Sequence, residues 1–240
     1  MTRSCRARHR ARRQGSALGE NKDMATFILI PGGWQGGWVY QRVAEILIAH
    51  GHKAAPVTLS GLGDVPAPTA NLETHIGEVV HAVGSLGDDL VLVGQSYGGM
   101  LVSGAADAAP SQIRALVYVD AYVPDTGDSV WSLTTRRFRD LFIAGAKADG
   151  LTCAPPASMD PRCRPHPIGT FLQSISLGGR WREVPRKTFI GAFGWEGSPF
   201  LDLHRRLSSE PEWSTFAFDC GHNVARLKPE ALAEILLAQV

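Results

Sequence analysis

Apolar residues fall along this chain in short solid runs, and stripes at helical spacing separate one run from the next. Phe27-Ile28-Leu29-Ile30 and Leu90-Val91-Leu92-Val93 are uninterrupted, the pattern of strands covered on both faces. Further strand-like runs lie at 53–57, 115–119, 188–192 and 214–218. Between 38 and 50, Val43, Ile46 and Leu47 recur at helical spacing and Gly51 follows as a stop. A small-residue stripe, Val102, Ala105, Ala106 and Ala109, follows the run at 90–93, and a closing helix is expected over 229–238. Strand and helix alternate throughout. The pattern predicts an α/β fold with a mostly parallel sheet and helices on both faces.

Length and charge narrow this picture. The 240 residues suit one domain with an ample core. The first 23 residues stand apart: seven basic side chains against Glu20 and Asp23 put that segment near +5 and the remainder near −4, since the whole chain is +1. No apolar stretch follows, so the segment is not a secretory signal, and it reads as a disordered basic extension. No apolar run is of transmembrane length, and neither a membrane nor a nucleic acid is expected as a partner. Cys5, Cys153, Cys163 and Cys220 lack metal-ligand spacing, and no histidine pair has flanking acids or cysteines. Reduced thiols, a cytoplasmic location and no metal or cofactor are the expectation, and homodimerisation is left open.

Chemistry enters where the run at 90–93 drives into Gly94-Gln95-Ser96-Tyr97-Gly98-Gly99. Glycine two before and two after a serine, between a strand and a helix, permits a turn tight enough to hold the serine in strained geometry above the sheet. A serine nucleophile needs a base, an acid behind the base, and donors for an oxyanion. His222 is the expected base, because it alone of eight histidines lies in a loop between the last strand and the closing helix. His75, His166 and the others read as exposed or capping residues. The acid has two placements: Asp120, at the end of the run at 115–119, is preferred, with Glu196, beyond the run at 188–192, as the alternative. The backbone N–H groups of Gly33 and Tyr97 are the expected oxyanion donors.

The segments Phe27-Ile28-Leu29-Ile30-Pro31-Gly32-Gly33-Trp34, Gly51-His52, Thr58-Leu59-Ser60-Gly61-Leu62-Gly63-Asp64 and Leu116-Val117-Tyr118-Val119-Asp120-Ala121-Tyr122-Val123-Pro124, with Gly221-His222, together resemble a small α/β-hydrolase. The branch they resemble holds plant methyl-salicylate-type esterases, hydroxynitrile lyases and bacterial esterase-like proteins. The resemblance spans 24–240 and is weakest between 124 and 187. It implies an α/β-hydrolase fold with a small cap insertion at about 125–186, and because the first strand begins directly after Met24, the family's usual leading hairpin is expected to be missing.

Three departures from that family carry information. Pro31-Gly32 replaces the family's His-Gly in the oxyanion loop, so the loop must be supported differently. Gln95 replaces the histidine before the nucleophile. Gly32 and Asn223 stand where the lyases carry threonine and lysine, which disfavours lyase chemistry.

The expected function is hydrolysis of a small hydrophobic or aromatic carboxylic ester through an acyl-enzyme on Ser96. Trp34, Met100, Phe142 and Gln95 are expected to contact the substrate. Other triad chemistry on the same fold (lactone or carbon–carbon hydrolysis, a biosynthetic tailoring step, cofactor-free haloperoxidation) and a slow-turnover ligand receptor are the alternatives.

Overall fold

The computed structural model describes residues 24–240. The basic extension expected over 1–23 lies outside them. In chain order the elements are β1 (Thr26–Ile30), α1 (Gln41–Ala49), β2 (Lys53–Pro56), α2 (Leu72–Leu86), β3 (Leu90–Gln95), α3 (Gly98–Ala108) and β4 (Ile113–Val119). An insertion follows with α4 (Val130–Leu133), α5 (Arg136–Gly145), β5 (Thr152–Cys153), β6 (His166–Pro167) and α6 (Gly169–Leu172). The chain closes with β7 (Arg186–Ala192), α7 (Leu201–Leu207), β8 (Trp213–Phe218), α8 (Val224–Leu227) and α9 (Pro229–Leu237).

The solid apolar runs have a direct cause. Ile28, Ile30, Leu90 and Leu92 enter one core, with Val79, Val83 and Leu101 of α2 and α3. Phe27, Leu29, Val91 and Val93 enter a second core on the opposite face, with Val43 and Leu47 of α1 and Leu232 and Leu236 of α9. Successive strand side chains point to opposite faces, and here both faces are dry. The main sheet is parallel in the order β2-β1-β3-β4-β7-β8. Among the described residues, only β5 and β6 pair antiparallel, within the insertion.

Several boundaries shift from the hydrophobic pattern by one or two residues, and two shifts have a direct physical cause. The helix expected from 38 divides into a 3-10 turn, Gly37–Tyr40, and α1. Gly37 lies so close to β2 that a Cβ there would come within 2.9 Å of the Val57 carbonyl oxygen, and its N–H donates to Thr58 Oγ1 at 2.9 Å. Strand β7 begins earlier than its apolar run because Lys187, although buried, satisfies its ammonium on the Arg182 and Val184 carbonyls at 3.0 and 3.1 Å.

A parallel sheet gathers all its carboxyl ends on one edge, and ligands of open α/β sheets bind there. The chain leaving β1 carries Gly32–Trp34, that leaving β3 carries Ser96, and that leaving β4 carries Asp120. Trp195 follows β7 and His222 follows β8. Among the described residues, no helix is long and apolar enough to cross a membrane.

Candidate active site

The turn after β3 is built by close approach. Ser96 has φ 54, a left-handed value that costs a non-glycine residue of order 1–3 kcal/mol. The surrounding glycines make the turn sterically accessible. A Cβ on Gly94 would stand 2.5 Å from the Gly98 carbonyl oxygen, and one on Gly99 would stand 2.1 Å from that of Tyr122. The backbone then pins the serine: its N–H donates to Val119 O at 3.3 Å, and its carbonyl accepts from Gly99 and Tyr122 at 3.1 and 3.2 Å. The loop after β1 passes directly against it, since a Cβ on Gly32 would lie 3.2 Å from the Ser96 Cβ.

Asp120 occupies the end of the neighbouring strand, also with positive φ (45), and is fully buried. A carboxylate buried this deeply requires donors. Oδ1 accepts the Ala192 N–H at 3.1 Å, and Oδ2 accepts the Trp195 indole N–H at 3.1 Å and His222 Nδ1 at 2.6 Å. The last contact fixes the tautomer: Nδ1 carries the proton, leaving the lone pair on Nε2. The imidazole ring is walled by Trp195 at 4.8 Å and by Phe200, stacked at 5.8 Å. Gln95 ties the same loop to the end of β3 by donating Nε2–H to His222 O at 3.1 Å.

Ser96, His222, Gly33 and Tyr97 line one cavity of about 340 Å³. Ser96 and His222 share no hydrogen bond among the described residues, and such contacts commonly shorten only when substrate binds. The Gly33 and Tyr97 N–H groups likewise donate to no described residue. Trp34, Phe138, Leu141, Phe142, Phe171 and Phe200 supply most of the apolar wall, and Gln95 also reaches it. Several of these residues come from the insertion.

Two expectations need correction, and the alternative placement of the acid gains no support. Met100 does not line the cavity; α3 is buried almost all round, and its first turn sends this side chain into the core with Tyr97 and Leu101. Glu196 neither lines the cavity nor hydrogen-bonds to His222; its neighbour Trp195 makes the contact with Asp120. His75 and His166, read as exposed or capping, are fully buried. His75 Nε2–H donates to Ser60 O at 2.9 Å, so its Nδ1 accepts from the Tyr97 hydroxyl, also at 2.9 Å. No local signal marks either histidine, because each packs against chain remote in sequence.

Burial lowers the pKa of His75, and lowers that of His166 well below the usual imidazole value, with the nearby His75 adding to the effect. Between the folded values and about 6.5, the unfolded chain binds protons that the folded chain refuses. Stability is therefore complete above about pH 6.5 and falls below it, by at most about 1.4 kcal/mol per pH unit for each histidine. Urea midpoints at pH 7.5, 6.5 and 5.5 should be flat over the first interval and fall over the second. An unchanged midpoint at pH 5.5 would contradict the buried neutral state.

Comparison with known proteins agrees with this architecture. The alpha/beta hydrolase family matches over residues 27–235. A carbendazim hydrolyzing esterase of Nocardioides sp. (strain SG-4G) is 35% identical over 240 aligned residues, covering 90% of this chain and 99% of that protein. Methylesterase 8 of Arabidopsis thaliana is 33% identical over 108 residues, 43% of this chain and 40% of its own length. Among solved structures, an extracellular alpha/beta-hydrolase from a Paenibacillus species superposes with a TM-score of 0.77 at 20% identity, covering 90% of this chain and 98% of that one.

Proposed function

The chain belongs to the alpha/beta hydrolase family and is a carboxylic ester hydrolase, and from that premise we propose that it cleaves compact hydrophobic or aromatic esters through a covalent acyl-enzyme on Ser96. The observation that carries the reading is the 2.6 Å contact between His222 Nδ1 and the buried Asp120, at the cavity that a strained Ser96 also lines.

In this reading, Ser96 Oγ attacks the ester carbonyl as its proton passes to His222 Nε2. The carbonyl oxygen becomes an oxyanion, which the Gly33 and Tyr97 N–H groups stabilise. The carbon–oxygen bond to the alcohol then breaks, and the alcohol departs with the proton from His222. Water attacks the acyl-enzyme, giving its proton to His222, and the second tetrahedral intermediate collapses to release the acid and restore Ser96. Asp120 holds the imidazole in the required tautomer and offsets the positive charge it gains. The Ala192 and Trp195 donors keep that carboxylate oriented.

The cavity sets the substrate range. A volume of about 340 Å³ with aromatic walls suits a short acyl chain or a single ring. On p-nitrophenyl acetate, butyrate, benzoate and dodecanoate, kcat/KM should be highest among the first three and at least about tenfold lower for dodecanoate. Preference for the dodecanoate would overturn the substrate assignment, and turnover of none would overturn the esterase reading.

A further inference from the structure

The oxyanion loop has no hydrogen-bonding side chain ahead of Trp34 to support it. It runs Pro31-Gly32-Gly33-Trp34: proline offers no N–H, and neither glycine offers a side chain. What restrains it instead comes from the insertion and converges on Trp34. The Trp34 N–H donates to His166 Nδ1 at 3.0 Å, its carbonyl accepts the Arg164 N–H at 2.9 Å, and its indole N–H donates to Cys153 O at 2.8 Å. Trp34 holds φ 65, a left-handed value a bulky residue keeps only when its surroundings impose it.

Of the three contacts, the one to His166 bears most directly on chemistry. The peptide joining Gly33 to Trp34 is planar, so anchoring the Trp34 N–H restrains the tilt of that plane. The plane is one of the two that flank Gly33, whose torsions would otherwise be the freest in the loop. The orientation of the Gly33 N–H therefore depends on where the Trp34 N–H is held.

The chemistry of His166 fits this task better than packing alone. A backbone N–H can only donate, so Nδ1 presents its lone pair and the ring proton sits on Nε2. Nε2 is buried and has no hydrogen-bond partner among the described residues, which is a net cost to the fold. The ring stacks on Phe171 at 4.2 Å and 9°, with Tyr97 edge-on at 4.9 Å. Phenylalanine would fill this site without the orphaned N–H. What histidine adds is the acceptor, and burial keeps the ring neutral so that the acceptor persists.

We propose that His166 is a positioning residue for the oxyanion hole: by accepting the Trp34 N–H, it holds the Gly33 N–H where the negative charge develops. It touches neither substrate nor reacting atoms. The proposal rests on the serine esterase reading above.

Two substitutions separate positioning from packing. His166→Phe keeps the stack and removes the acceptor. His166→Asn loses the stack but places an amide oxygen close to the position of Nδ1. With p-nitrophenyl butyrate, His166→Phe should lower kcat by about 10- to 100-fold with KM within about threefold, and its melting temperature should hold. His166→Asn should melt lower yet keep kcat within about fivefold of wild type. A boronic acid that forms a tetrahedral adduct should lose affinity for His166→Phe in step with kcat/KM. Unchanged kcat in His166→Phe, or losses that track melting temperature in both variants, would overturn the proposal.

Should His166→Phe not fold, His166→Gln replaces it, because its oxygen is carried one bond beyond the Nδ1 position. Equal kcat for Asn and Gln would then be fatal. A folded wild type that turns over no ester defeats the esterase reading and this proposal with it. An active wild type beside an unimpaired His166→Phe defeats this proposal alone.

Discussion

Ser96→Ala is expected to lower kcat on p-nitrophenyl butyrate by about 10⁴- to 10⁶-fold, leaving substrate affinity and melting temperature close to wild type. The size of the loss follows from the proposed role: Oγ forms the covalent bond in that mechanism, and Ser158, the other serine lining the cavity, lies in the insertion and not on the turn after β3. The retained stability follows from the turn. Alanine meets the same φ 54 as serine does, and the backbone bonds from Gly99 and Tyr122 to residue 96 do not involve the side chain. Residual hydrolysis would come from the oxyanion donors and binding alone. Loss of the fold together with the activity would leave the role of Oγ unsupported, so each variant's melting curve belongs beside its kinetics. A folded variant keeping more than about a tenth of wild-type turnover would contradict Ser96 as nucleophile.

The second large effect is a contrast between two carboxylates. Asp120→Asn should lower kcat by about 10³- to 10⁴-fold, whereas Glu196→Gln should change it by less than about twofold. Asparagine keeps the shape and can still accept at one oxygen. Its amide nitrogen, turned to His222, would present a donor to Nδ1 and favour the tautomer with the proton on Nε2, which cannot act as base. Alanine at 120 would be a poorer probe, because it strands the buried Ala192 N–H and the half-buried Trp195 N–H and costs stability by another route. Initial rates for both variants at pH 7 to 9 decide the matter. A greater loss in Glu196→Gln than in Asp120→Asn would reverse the assignment.

The sheet was legible in the sequence because burial on both faces leaves solid runs such as Leu90-Val91-Leu92-Val93, and the serine turn because close approach, by Gly98 to Gly94 and by Tyr122 to Gly99, forces glycine at fixed spacings from Ser96. Strand ends were less legible where a polar residue finds internal partners, as Lys187 does on the Arg182 and Val184 carbonyls. Met100 misled because nearness to Ser96 along the chain does not mean nearness at the cavity when α3 is buried on nearly every side. His166 was invisible for the opposite reason. Its partner Trp34 lies 132 residues away, and only the folded insertion brings the two together. The unsupported Pro31-Gly32-Gly33 stretch did signal that some other brace had to exist, without indicating where in the chain it lay. The choice between Asp120 and Glu196 turns on which strand's exit faces the His222 loop, and spacing along the chain does not encode that.

A covalent intermediate on Ser96 is the most direct consequence of the proposed mechanism. Wild-type protein mixed with p-nitrophenyl butyrate, quenched in acid during turnover, digested and weighed by mass spectrometry should carry one butyryl group on the peptide containing Ser96, and Ser96→Ala should carry none. Steady hydrolysis with no acyl group on that peptide, or with the group on another residue, would contradict it.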